Sequence, residues 1–81
     1  MVVSIDEIIS IVSLQLGIVE VSIEQRLVED LGAESADIAN MIAAVEEKYQ
    51  IFVSEEMIAK IRSVNDLHST ITQHLNDAKD I

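Results

Sequence analysis

The stretch EDLGAESADIANMIAAVEEKYQ, residues 29–50, decides the fold of this chain because it joins a glycine-containing loop to a strongly periodic apolar segment. The apolar residues of that segment recur at steps of three, one, three and four, which places them on one face of a helix. The stretch therefore predicts a helix that begins near Ser35 and packs one face against a core. The apolar residues are Ile38, Met41, Ile42, Val45 and Tyr49.

An earlier helix is predicted near the N-terminus. Ser4 followed by Glu7 has the spacing of a capping box, in which two side chains satisfy free backbone N–H groups at a helix start. Apolar residues then recur at helical spacing until Gly17, a residue that commonly ends helices. These apolar residues are Ile5, Ile8, Ile9, Val12 and Leu16.

Two further helices are predicted after the central one. Ser54 precedes a short helical segment within residues 54–60, and Ser63 with Asp66 has the spacing of another capping box. The helix that this box begins carries apolar residues at helical spacing, and the final NDAKDI segment is expected to fray. Its apolar residues are Val64, Leu67, Ile71 and Leu75.

A long loop, residues 18–34, separates the first two predicted helices. Its aliphatic residues are expected to hold it on the core, and loops of this length in small domains are often functional. These residues are Val21, Leu27, Val28 and Leu31. We predict an all-α fold: a small four-helix bundle with a long first loop and a short third helix, as one domain over residues 1–81.

The charge of the chain limits its partners. Fifteen acidic residues outnumber five basic ones, for a net charge of −10, and residues 20–47 hold eight acids against Arg26 alone. Nucleic acid is disfavoured because phosphates are bound by basic side chains, so we expect partners with basic docking patches. The N-terminus has no basic segment and no apolar run spans a membrane, so we expect a cytoplasmic monomer without membrane insertion.

Catalytic and metal-binding chemistry finds little support in the sequence. The chain has no cysteine, and His68 and His74 lie about 240° apart around one helix, too far apart to bind one ion together. The acids of residues 29–37 do not follow the spacing of an EF-hand calcium loop. No glycine-flanked serine elbow is present either. We therefore predict neither an enzyme nor a metal site.

Ser35 has two possible roles at the start of the central helix. Serine is a preferred N-cap, and capping alone would explain its position. However, Ile38 rather than an acid lies three residues later, so the reciprocal pattern seen at Ser4 and Ser63 is missing. The Ser35 hydroxyl is therefore less committed to capping than those of the other two serines.

Three segments resemble the acyl carrier proteins: LVEDLGAES at 27–35, ADIANMIAAVEEKYQI at 36–51 and SEEMIAKIRSVNDLHSTI at 54–71. The resemblance extends from about Ser4 to Leu75. It implies that Ser35 carries a covalent 4'-phosphopantetheine arm, attached from coenzyme A by a phosphopantetheinyl transferase. It also implies that the thiol of this arm holds acyl groups as thioesters for fatty-acid, lipid or secondary-metabolite synthesis.

The sequence departs from the family around that serine. The family has Asp-Ser-Leu where this chain has Glu34, Ser35 and Ala36, and Asn40 replaces a usual acid. Loss of the leucine removes apolar contact worth up to ~2 kcal/mol, roughly thirtyfold in affinity. A specialised carrier with its own synthases and transferases is therefore expected. The residues expected to recognise partners are Glu34, Ala36, Asp37, Asn40, Glu46 and Glu47.

A second function remains compatible with these departures. Glu34 and Ala36 also suit an unmodified, acidic helical module that binds proteins and has a carrier-like fold. Such a module would use its acidic surface alone, without an arm on Ser35. The mass of the native protein distinguishes the two functions.

Overall fold

The computed structural model describes residues 3–79 and contains four helices in that part of the chain. The predicted all-α fold, with its long first loop and short third helix, is confirmed. The predicted fraying of NDAKDI is wrong as far as Lys79, because no glycine or proline interrupts the last helix there; residues 80 and 81 lie outside the described part. The helices are α1 (Ile5–Leu16), α2 (Ser35–Tyr49), α3 (Glu55–Ala59) and α4 (Val64–Lys79).

The core is aliphatic and lies where α1 packs against both α2 and α4. The apolar stripe predicted for α2 faces it, with Met41, Ile42, Val45 and Tyr49 buried and Ile38 only half-buried. Tyr49 is the one aromatic residue of this core. The fully buried side chains are Ile8, Val12, Leu27, Met41, Val45, Val64, Leu67 and Ile71.

The start of α1 differs from the predicted capping box. Ser4 Oγ accepts the Asp6 N–H at 3.2 Å, but the Glu7 carboxylate turns to α2. There it accepts the Tyr49 hydroxyl at 3.1 Å and lies 3.3 Å from Lys48 Nζ. Because these contacts join the beginning of α1 to the end of α2, the two helices run antiparallel.

The start of α4 confirms the predicted capping box. The Asp66 N–H donates to Ser63 Oγ at 3.0 Å, and the Ser63 N–H donates to Asp66 Oδ2 at 3.1 Å. Burial alone would raise the pKa of Asp66, but hydrogen bonds from Arg62 and Ser63 bring that pKa below its usual value. The predicted cap of α3 is also confirmed, since Ser54 Oγ accepts a backbone N–H at 3.2 Å.

The long loop is attached to the junction between α3 and α4. The Leu27 N–H donates to the Arg62 carbonyl at 2.9 Å, and the Val64 N–H donates to the Gln25 carbonyl at 3.0 Å. Leu27 is buried, as expected, but Val28 is 56% exposed. The expectation that Val28 holds the loop on the core is therefore wrong, because successive side chains of the 27–31 turns point in different directions.

Both histidines are partly buried on α4. His68 Nε2 lies 2.8 Å from the Val3 carbonyl oxygen and so joins the beginning of the described chain to the last helix.

Within residues 3–79, none of the helices combines the length and apolar character that crossing a membrane requires.

Candidate functional site

The junction between the long loop and α2 is a tightly constrained segment. Gly32 adopts a left-handed conformation with φ of 71°, which glycine accepts without a side-chain clash. The Ala33 N–H then donates to the Leu27 carbonyl at 2.8 Å, and the Ala33 side chain is buried. These contacts fix the path of the chain immediately before Ser35.

Ser35 is the first residue of α2 and its side chain is exposed. The N-cap position belongs to Glu34, so the reading of Ser35 as the cap is wrong. Asp37 takes over part of that role, because its Oδ2 accepts the Glu34 N–H at 2.9 Å. Among residues 3–76, whose side chains the structure describes, the Ser35 hydroxyl has no hydrogen-bond partner, so it is available for chemistry.

Opposing electrostatic effects meet at this junction. The free N–H groups and the dipole of a helix N-terminus favour an anion such as a phosphate. The carboxylates of Glu34 and Asp37 disfavour an anion at the same place, because like charges repel. Arg26 Nε lies 3.7 Å from Glu29 Oε2 and 3.9 Å from Asp30 Oδ2, but these ion pairs are exposed and contribute little to stability. The helix start therefore places backbone groups that favour an anion beside two carboxylates that disfavour one.

An apolar cleft of about 290 Å³ opens beside Ser35. Ile38 and Ile42 line it from α2, one turn apart, and Ile58 lines it from α3, with Ala39 completing the wall. The apolar pattern of the sequence predicts Ile38 and Ile42 in the core stripe of α2, and it does not single out Ile58. The available signal was the pair of isoleucines at i and i+4 directly after the exposed serine.

Three of the residues expected to recognise partners lie on one exposed face of α2. Ala36, Asn40 and Glu47 fall within about 40° of one another at ~100° per residue, and all three are exposed. Between Asp37 and Glu46 the helix carries no charged residue. The acids of α2 therefore flank a small, uncharged central surface.

The other expected residues make contacts within the chain. Glu34 is exposed at the N-cap, where its N–H is held by the half-buried Asp37. Glu46 is also half-buried, and its Oε2 accepts the Val53 N–H at 2.9 Å. The Asp37 and Glu46 carboxylates thus hold the two ends of α2, which leaves Glu34 and Glu47 as the more accessible charges.

Metal ligands are not gathered anywhere in the described part of the chain. No group of three or more histidine, aspartate or glutamate side chains within residues 3–76 is arranged to hold an ion. The chemistry available at the junction is therefore that of an exposed serine hydroxyl beside an apolar cleft.

A four-helix domain with this junction belongs to the class of carrier domains, which are modified on a serine. Residues 6–71 match the family model described as "Phosphopantetheine attachment site". The chain is also 35% identical to the acyl carrier protein of Clostridium acetobutylicum over 74 residues, which cover 89% of this chain and 96% of that protein. The chain belongs to the acyl carrier protein family.

One further relative is similar in sequence, and one solved structure is similar in fold. An acyl carrier protein of Chlamydia trachomatis serovar L2 is 33% identical over 73 residues, covering 88% of this chain and 95% of that protein. A solved structure described as an acyl carrier protein from Mycobacterium tuberculosis has the same fold, with a TM-score of 0.80 at 22% identity. The superposition covers 86% of this chain and 96% of the other.

Membership of the family establishes the general role of the chain. It is a carrier and not an enzyme, and its cofactor is phosphopantetheine. The family also implies interaction with a phosphopantetheinyl transferase and with enzymes that handle acyl groups.

Proposed function

We propose that Ser35 is the attachment residue for 4'-phosphopantetheine and that the chain carries acyl groups for a specialised branch of fatty-acid, lipid or secondary-metabolite synthesis. The observation that carries this proposal is the Ser35 side chain, which is exposed at the first position of α2 and has no hydrogen-bond partner among the side chains and backbone of residues 3–76. When bound, the arm supplies a thiol that holds an acyl group as a thioester.

Each neighbouring residue has a definite part in this role. Asp37 secures the entry to α2 through the Glu34 N–H, so the Ser35 hydroxyl is not needed as a cap. Ser35 Oγ would form the new bond to the pantetheine-bearing phosphorus of coenzyme A, the pyrophosphate bond of coenzyme A would break to release adenosine 3',5'-bisphosphate, and the hydroxyl proton would pass to a base of the transferase. Backbone N–H groups at the helix start favour the phosphate, while the Glu34 and Asp37 carboxylates repel it. This balance supports an arm that can move away from the surface.

The cleft beside Ser35 supports the proposal that the carried acyl group is apolar. Ile38, Ile42 and Ile58 line it directly beside Ser35. Each methylene group that such a surface removes from water contributes ~0.8 kcal/mol. An acyl chain folded back onto the carrier would therefore be covered by these side chains, and a polar cargo would gain much less.

Features of α2 support specialised partners. Ala36 stands where the family has leucine, and the centre of the exposed face is uncharged. Glu34 and Glu47 lie at opposite ends of the helix and suit basic patches on synthases and transferases. Charge of this kind mainly raises encounter rates and discriminates between partners.

Intact-mass spectrometry of protein purified from its own host tests the proposal. We expect a phosphopantetheinyl increment on the wild-type chain and none on Ser35→Ala. Ser54→Ala is the matched control, because Ser54 also lies at a helix start, and it should keep the increment. The mass of any acyl group on the native protein would then identify the pathway.

Two outcomes would contradict the assignment. A bare mass in the host, together with no loading by several transferases in vitro, would favour the unmodified interaction module. An increment that persists in Ser35→Ala would move the attachment to another residue. Circular dichroism of both variants checks that each one remains helical.

A further inference from the structure

Phe52 is one of five large apolar side chains that are exposed in the described part of the chain, and it is the only aromatic one among them. It is the only phenylalanine, and 74% of its surface is exposed. Its neighbours Ile51 and Val53 pack against or within the core. The loop between α2 and α3 therefore alternates inward and outward side chains, and Phe52 points outward.

The loop that presents Phe52 is held on both sides. Gln50 ends α2 in a left-handed conformation with φ of 56°, and its Nε2 donates to the Glu47 carbonyl at 2.6 Å. Glu46 then accepts two backbone N–H groups, that of Ile51 on its carbonyl at 3.2 Å and that of Val53 on its carboxylate at 2.9 Å. The backbone that carries Phe52 is consequently held in place, which lowers the entropy cost of ordering this loop on a partner.

The charges around Phe52 indicate the chemistry of such a partner. Glu47 precedes it, Glu55 and Glu56 follow it, and all three are exposed. The nearest basic residue along the chain, Lys48, lies 3.3 Å from the Glu7 carboxylate. An aromatic side chain with exposed acidic residues on both sides of it in the sequence complements an apolar pocket with a rim of lysine and arginine.

We propose that Phe52 is an anchor residue for the enzymes that receive the acyl group from this carrier, and that it enters a basic-rimmed apolar pocket on them. This inference rests on the proposed function, because it names a contact made by the partners of the loaded chain. Ser35 begins α2 and Phe52 follows its end, and fifteen residues of helix span about 22 Å. The partner surface therefore extends along the helix, well beyond the loading site.

Acyl transfer from the loaded, full-length chain tests the inference. The recipient is an acyl-transferring enzyme of the same host that accepts the acyl group from the wild-type chain. We expect Phe52→Ser to raise the KM for the carrier about tenfold or more, because buried aromatic anchors dominate interface affinity. Loading at Ser35 and the melting temperature should not change, since the Phe52 side chain is exposed.

Matched variants make the test specific. Leu14→Ser removes an apolar side chain that is 85% exposed on α1, and its KM should equal that of the wild type. Phe52→Leu should recover most of the loss, and a double change of Glu55 and Glu56 to Gln should reduce the salt dependence of KM. A Phe52→Ser chain that transfers its acyl group like Leu14→Ser would overturn the inference. Failure of the proposed function would appear earlier, as an unloaded wild-type chain.

Discussion

Under the proposed attachment at Ser35, the residues beside it would determine how the carrier meets the enzyme that loads it. The Ser35 hydroxyl is free of capping because Glu34 and Asp37 complete the helix start. The next residue, Ala36, is exposed and small, so it offers little apolar surface to a transferase. The position after the serine is therefore where a single change should alter loading most.

Ala36→Leu should increase kcat/KM for loading by a general phosphopantetheinyl transferase. The added side chain restores apolar contact worth up to ~2 kcal/mol, so the increase should approach thirtyfold at most. Loading is measured by mass spectrometry against time with coenzyme A as donor. Ala44→Leu is the control, because Ala44 is also exposed on α2 but lies two turns away. Equal effects of both changes would argue against a specific contact at position 36.

At the scale of elements, most helix boundaries follow from local patterns, while the contacts between elements do not. The apolar stripe of α2, the Gly17 stop and the Ser63 cap were all readable because each depends on neighbours in the sequence. Glu7 shows the limit of such patterns. Its spacing from Ser4 suited a capping box, yet it bonds Tyr49, 42 residues later.

The candidate site likewise has one part that the sequence predicts and another that depends on contacts between elements. The position of Ser35 and its uncommitted hydroxyl were predictable from the missing acid at Ile38 and from the family resemblance. The cleft was not, since it needs Ile58 of α3 to face α2. The sequence predicts Glu46 as a residue that recognises partners, but it does not predict the hydrogen bond from the Val53 N–H to the Glu46 carboxylate. That bond depends on the path of the loop after α2, which no local pattern fixes.

Tyr49 provides a direct test of the contact between α1 and α2. Burial, a hydrogen bond to Glu7 and the Glu7 charge raise the pKa of Tyr49 to about 12 from a usual value of 10.0. Glu7→Gln should lower this pKa part of the way, because the contribution of burial remains. Tyrosinate absorbance reports Tyr49 alone, since the chain has one tyrosine.

The same group makes stability depend on alkaline pH. A raised folded-state pKa means that the neutral form favours folding, so the contribution is complete below pH 10 and is lost as pH rises towards 12. Urea unfolding at pH 9 and pH 11 should show this loss. Asp6→Asn, a change at an exposed neighbour, should titrate like the wild type. A Glu7→Gln titration identical to that of Asp6→Asn would contradict the assigned contact.

At the scale of the whole molecule, like charges oppose the compact state. The net charge is −10, and the three ion pairs found among the side chains of residues 3–76 are all substantially exposed. Exposed pairs of this kind contribute little, so they do not offset the repulsion among the carboxylates of residues 20–47. Stability should therefore depend on ionic strength.

The melting temperature should rise by several degrees between ~0.01 M and ~0.5 M salt, because the Debye length shortens from ~30 Å to a few ångströms. Calorimetry in sodium chloride measures the rise. Replacing both Glu20 and Glu24 by Gln removes two exposed charges and should make the rise smaller. A melting temperature that does not change with salt would show that repulsion is unimportant in the folded state.

The short helix α3 has a consequence for how the cleft opens. None of its five residues is buried, whereas α1, α2 and α4 share the core. Hydrogen exchange should therefore reveal a local opening of α3, with amides that exchange faster than those of Val12 or Val45. If α3 amides proved as slow as those of the core, the cleft would have rigid walls. A mobile α3 would instead let the cleft accommodate acyl chains of several lengths at little cost in free energy. The partner enzymes would then select the length of the acyl chain.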